Sequence, residues 1–148
     1  MKTIFDKTTR DELVSRIKTL NENSTAQWGK MNVYQMVKHC ALWEDMIWGK
    51  IKCKRVLLGR IIGRMALKSS LKDDTPMMRN AVSSPELIVK ESNGNIASEK
   101  TKWIASIEEY AHFSNTGFVH PFFGKMTKEQ VGIHAYKHTD HHLRQFNA

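Results

Sequence analysis

The stretch His134-Ala135-Tyr136-Lys137-His138-Thr139-Asp140-His141-His142-Leu143-Arg144-Gln145-Phe146 decides how this chain is read. Taken as a helix at about 100° per residue, it brings Val131, Ala135, His138, His142 and Gln145 within roughly 80° of one another. A stripe expected to be plain core therefore carries two imidazoles one turn apart and an amide. Histidines at i and i+4 have Cβ atoms only about 6 Å apart and can reach a single metal ion. His138 and His142 flank the centre of the stripe, whereas His134 and His141 lie at its edge. Two ligands are too few for a stable site, so a third must come from elsewhere in the chain.

Working outward, the spacing predicts helices throughout. Thr127 with Gln130 forms a cap before the final helix, and Asn32 with Gln35 opens another that runs to about residue 50. Met36, Trp43, Met46 and Ile47 form the apolar face of that second helix, and His39 sits in its middle. Thr9 and Glu12 have the same cap spacing ahead of Leu13, Ile17 and Leu20, so a first helix is expected there. A weaker helix is expected around 56–71, between Gly49 and Pro76, and a longer one over 97–113 with Trp103, Ile104 and Ile107. Ser83-Ser84-Pro85 and Ser92-Asn93-Gly94-Asn95 mark loops. Only 86–90 alternates with strand period. The pattern describes an all-α protein, a four-helix bundle with an extra helical crossover.

Composition sets bounds on the function. At 148 residues the chain reads as one domain, 1–148, with 41% hydrophobic and 26% charged residues, as in ordinary globular proteins. Two cysteines, Cys40 and Cys53, without CxxC spacing argue against a disulfide scaffold or a cysteine zinc finger. No apolar run reaches signal-peptide or transmembrane length, so a soluble cytoplasmic protein is expected.

His39 is the best candidate for the third ligand, being the lone imidazole on an apolar helix face; a bundle builds metal sites from inward side chains on facing helices. The same pattern also describes a hydrogen-bonded core histidine. Three segments then carry a resemblance: Trp28-Gly29-Lys30-Met31 leading to Gln35-Met36-Val37-Lys38-His39; His120-Pro121-Phe122-Phe123-Gly124-Lys125-Met126; and Lys137-His138-Thr139-Asp140-His141-His142-Leu143-Arg144-Gln145-Phe146. Together they resemble the DinB/YfiT-like superfamily, and more narrowly a branch of it known only as a domain of unknown function. The resemblance covers most of the chain from Trp28 onward. It implies a four-helix bundle of up-down-down-up topology and a metal held by one histidine of the second helix and two of the last, which map onto His39, His138 and His142. It further implies metal-dependent hydrolases or thiol-dependent transferases, some acting with low-molecular-weight thiols.

Three neutral imidazoles leave a divalent ion, zinc or nickel, its full charge and an open position. Such an ion activates water or a thiol. A hydrolase usually places a carboxylate base beside the water. Glu44 and Asp45 project roughly 120–140° from His39, and Asp140 points away from His138 and His142. Activation of a small-molecule thiol is therefore favoured slightly over hydrolysis. Gln145 is expected either to contact substrate or orient a ligand, or to make local helix-end bonds. His120 is expected to pack its loop, with a supporting role at the site as the alternative. Asp140 and Arg144 have the spacing of a solvated ion pair.

The net charge is +8, and Lys50, Lys52, Lys54, Arg55, Arg60, Arg64, Lys68 and Lys72 precede the next acid, Asp73. Leu57, Leu58, Ile61, Ile62 and Met65 recur among them at helical spacing. The plain expectation is a crossover helix with its apolar side on the bundle and its cations in water. The alternative is a non-enzymatic binding or stress-associated module whose basic amphipathic helix takes an anionic partner. A positive field could also draw an anionic substrate to the metal. Nucleic acid has no support beyond charge. Tyr136 and Leu143, opposite the ligand stripe, suggest either a homodimer or packing against another helix.

Overall fold

The computed structural model describes residues 1–115 and 117–148. Five α-helices account for most of it: α1 (Lys7–Thr19), α2 (Val33–Ile47), α3 (Leu57–Ser70), α4 (Ile96–Glu109) and α5 (Lys128–Gln145). Short 3-10 turns occur at Pro85–Leu87 and Tyr110–His112, the second continuing from α4. Between α4 and α5, β1 (Val119–His120) and β2 (Gly124–Lys125) pair antiparallel, with Val119 opposite Lys125 and His120 opposite Gly124.

Two predicted caps are present in full. The Asn32 side chain accepts from Gln35 N while the Gln35 side chain accepts from Asn32 N, and Thr127 and Gln130 do the same at α5. Each satisfies backbone donors that a helix start otherwise leaves open. The Thr9–Glu12 cap does not form. Helix α1 starts earlier, after Asp6, so Thr9 lies inside it and is buried, and Glu12 pairs with Lys2. An upstream contact sets this start: Ile4 is fully buried and its N–H donates to Gly132 O on α5 at 3.1 Å.

Helix α4 lies along α2 and α1, while α5 meets α1 and α2. Leu13, Ile17, Met36, Val37, Ile47, Trp103, Ile107, Val131 and Leu143 fill the space between them. Leu143 is thus packed inside the chain, and Tyr136 is half-buried beneath the Lys2 ammonium, so the two do not form a free dimer face. The alternation over 86–90 is real as burial, with Leu87 and Val89 inside and Ile88 and Lys90 outside. Its backbone belongs to the Pro85–Leu87 3-10 turn only as far as Leu87 and then runs on outside any strand, where Gln35 Nε2 donates to Val89 O.

Helix α3 is where the plain expectation fails. Its buried face is Gly59, Gly63 and Leu67, while Leu57, Leu58, Ile61 and Met65 are exposed. At either glycine a Cβ would run into the Phe122 carbonyl oxygen, so the helix rides directly on the hairpin backbone. Val56 N–H donates to Pro121 O at 3.0 Å and Arg55 to His120 O at 2.6 Å, fixing the start of α3. Buried Lys137 of α5 donates to Ser70 O and Asp73 O and fixes its end. With both ends moored and two glycines at the contact, the apolar side is turned to solvent.

Candidate metal centre

Helix period alone brings His138 and His142 together on α5, and the packing of α2 on α5 adds His39. One ring nitrogen from each lies within 4.8 Å of the other two, and all three residues are buried. Tetrahedral nitrogen ligands with bonds of ~2.1 Å sit ~3.4 Å apart, so closing on one ion needs movements of about an ångström. The donor set fits a first-row divalent metal, which imidazole suits well.

Hydrogen bonds fix the tautomer of two of the rings. His39 Nδ1 lies 2.9 Å from Leu87 O. A carbonyl only accepts, so Nδ1 carries the proton and Nε2 keeps its lone pair. His142 Nδ1 lies 2.9 Å from Gln145 Oε1, while Gln145 Nε2 donates to Trp28 O at 2.8 Å. That second bond holds the amide nitrogen on the carbonyl, so its oxygen faces His142 and selects the same tautomer. The third ring, His138, stacks on Trp43 at 4.1 Å between centroids and 14° between planes.

Electrostatics favour neutral rings. Burial lowers the pKa of His142 to about 3, with the neighbouring His39 adding to it, and lowers those of His39 and His138. All three are therefore unprotonated at neutral pH, the form that binds metal.

The other sequence candidates are accounted for. Gln145 holds the His142 ring and also anchors the Trp28 loop, since Gln27 N–H donates to Gln145 O at 2.7 Å. Gly29 has φ +84°, and a Cβ there would come within 2.6 Å of Gln145 Nε2, which gives the Trp28-Gly29 pair a physical role. His120 packs its loop: Nδ1 accepts from Phe122 N and Phe123 N, and the ring stacks on Phe123. His134 is buried between Trp43, His120 and Phe123, and desolvation lowers its pKa to about 4. Met36 and Met46 are core.

Asp140 is more than half of a solvated pair. It takes Arg144 at 2.7 Å and Arg16 of α1 at 2.8 Å, and is itself buried. Glu44 is fully buried toward α4, accepting from Tyr110 Oη at 2.6 Å. Desolvation pushes its pKa up to about 8. Sequence reasoning placed Glu44 away from His39 but did not find this pair, because Tyr110 is 66 residues distant. The Leu87 carbonyl was also missed, since a main-chain acceptor has no signature of residue type.

The fold and site define a helical protein in which three buried histidines from two helices lie close enough to hold one metal ion. The chain belongs to the family described as "Protein of unknown function (DUF1569)", whose model matches residues 3–148. No curated protein and no solved structure matches it.

Proposed function

We propose that residues 1–148 form one DinB/YfiT-like domain, a four-helix bundle of α1, α2, α4 and α5 in up-down-down-up order with α3 as the crossover. In this reading the protein is a metal-dependent enzyme using His39, His138 and His142 as ligands. The single observation that carries it is the tautomer control at two rings: Leu87 O and Gln145 Oε1 each hold an Nδ1 proton, so that the opposite nitrogen is presented to a common centre. A core histidine needs one hydrogen-bond partner; three neutral rings converging on one point suit a cation.

A bound zinc or nickel ion would supply a Lewis acid that makes water or a thiol nucleophilic near neutral pH. The residues around it support a thiol slightly better than hydrolysis with a dedicated base. Glu44 is held by Tyr110, Asp45 pairs with Lys50 at 3.2 Å, and Asp140 is occupied by two arginines. Of the chain's own thiols, Cys40 is buried and its pKa is raised well above the ordinary value, and half-buried Cys53 is also raised by desolvation; neither is grouped with the three rings, so a reacting thiol would come from a small molecule. A cavity of about 360 Å³ beside His141, lined by Trp28, Met77, Arg79, Arg144 and Ala148, is not lined by any of the three rings and assigns no substrate. The intracellular, reducing setting expected from the cysteine pattern belongs to the same proposal.

Metal content by plasma mass spectrometry tests this reading, on untagged protein purified without chelator beside a His138→Ala/His142→Ala variant. About one first-row ion per chain, lost in the variant, is the expected result. Absence of metal from the wild type, even after incubation with zinc or nickel and desalting, would overturn it.

A further inference from the structure

We propose that α3 is a membrane-surface element whose outward face docks on a bilayer carrying anionic lipid. Leu57, Leu58, Ile61 and Met65 are 75%, 56%, 82% and 70% exposed. On the helix they form one stripe, roughly 180° from the Gly59, Gly63 and Leu67 face that sits on the hairpin. Arg60, Arg64 and Lys68 run along one flank of this stripe, and residues 46–72 contain no acid. Large apolar side chains bordered by arginine and lysine are the pattern of a helix lying in a membrane interface.

The mooring of α3 makes the exposure a fixed property of the fold. Its start is bonded to Pro121 O and His120 O, and its end is held by Lys137. Turning the stripe inward would require giving up the glycine contact with Phe122. Beside the helix, Arg64 and Lys68 join Lys125 and Lys128 around a cleft of about 440 Å³, which places four cations where lipid phosphates would lie.

Charge selects the occupant. In a two-fold pairing with a second copy, the same patch meets itself, so Arg60, Arg64 and Lys68 would find no acid in the patch to offset them. Nucleic acid would place phosphates against a face whose centre is apolar, without aromatic side chains for stacking. An anionic bilayer offers both a negative surface for the cations and an apolar layer for Leu57, Ile61 and Met65. No helix among the described residues is long and apolar enough to cross a membrane, so the contact is with the surface.

Co-sedimentation with vesicles tests the proposal, using phosphatidylcholine alone and phosphatidylcholine mixed with phosphatidylglycerol. Wild type should sediment with the mixed vesicles and not with the neutral ones, and binding should fall as salt rises. An Ile61→Ser/Met65→Ser variant and an Arg60→Gln/Arg64→Gln/Lys68→Gln variant should each bind at least about tenfold more weakly. These positions are outside the core, so circular dichroism and metal content should match wild type in both. Equal sedimentation with neutral vesicles would overturn the proposal. So would wild-type binding by the serine variant, which would mark a site for soluble polyanions. A concentration-dependent dimer abolished by the serine variant would assign the face to a second copy instead.

Discussion

Replacing Glu44 by glutamine should remove a pH-dependent weakness from this fold. The Glu44 side chain is fully buried, Oε2 accepts from Tyr110, and Oε1 has no partner among the described residues. Desolvation raises its pKa from 4.5 to about 8, against the opposing effect of the Tyr110 bond. Between those values the folded protein holds a proton that the unfolded chain releases, so the contribution of Glu44 to stability is full below about pH 4.5 and is lost as pH rises toward 8. At about 1.4 kcal/mol per pH, the interval amounts to roughly 5 kcal/mol. Small domains are stable by only about 5–15 kcal/mol, so the loss is large enough to measure. Glutamine keeps the shape and the acceptor for Tyr110 but does not titrate. Urea denaturation of metal-free wild type and Glu44→Gln, at about pH 5 and about pH 9, isolates the effect because other titrating groups are common to both. The variant should gain on wild type by several kcal/mol between the two conditions. A stability difference that stays constant would show Glu44 ionised in the folded protein and refute the reasoning.

Three further outcomes follow from the geometry. Gln145→Leu removes the acceptor that fixes the His142 tautomer and should weaken zinc or nickel retention by about 10–100-fold, read by competition with a coloured chelator. Trp43→Ala strips the stacked face from His138 and opens a buried cavity; it should cost about 3–5 kcal/mol in urea denaturation. Gly63→Val drives a side chain into the Phe122 carbonyl and should lift α3 off the hairpin, at a cost of about 1–3 kcal/mol and with new protease cleavage within residues 50–72.

The legible parts of this structure are those written in local spacing. Helix period alone aligned His138 with His142 and put His39 on an apolar helix face, where it also described a core histidine until the family resemblance joined the three, and the caps at Asn32 and Thr127 needed only a partner three residues away. The features that escaped depend on contacts across the chain or on backbone atoms. Leu87 supplies a carbonyl, which any residue could supply. Arg16 reaches Asp140 from 124 residues away, turning an expected surface pair into a bridge between α1 and α5. Thr9 lost its expected cap because Ile4, docked on Gly132, started the helix earlier. The orientation of α3 failed for a more instructive reason. Apolar residues at helical spacing predict the inward face, but two glycines allow closer backbone contact on the other side, and the hairpin takes that side.

His39 is separated from His138 by nearly a hundred residues, and its tautomer depends on Leu87, 48 residues away. Closing so long a loop costs more chain entropy than closing a local turn, and contacts of this kind slow folding. An unfolded chain can offer an ion only local pairs such as His138 with His142, whereas the complete trio exists once α2 and α5 have docked. Capture of a metal by all three rings would therefore follow the docking of α2 on α5, and a bound ion would oppose the parting of those two helices.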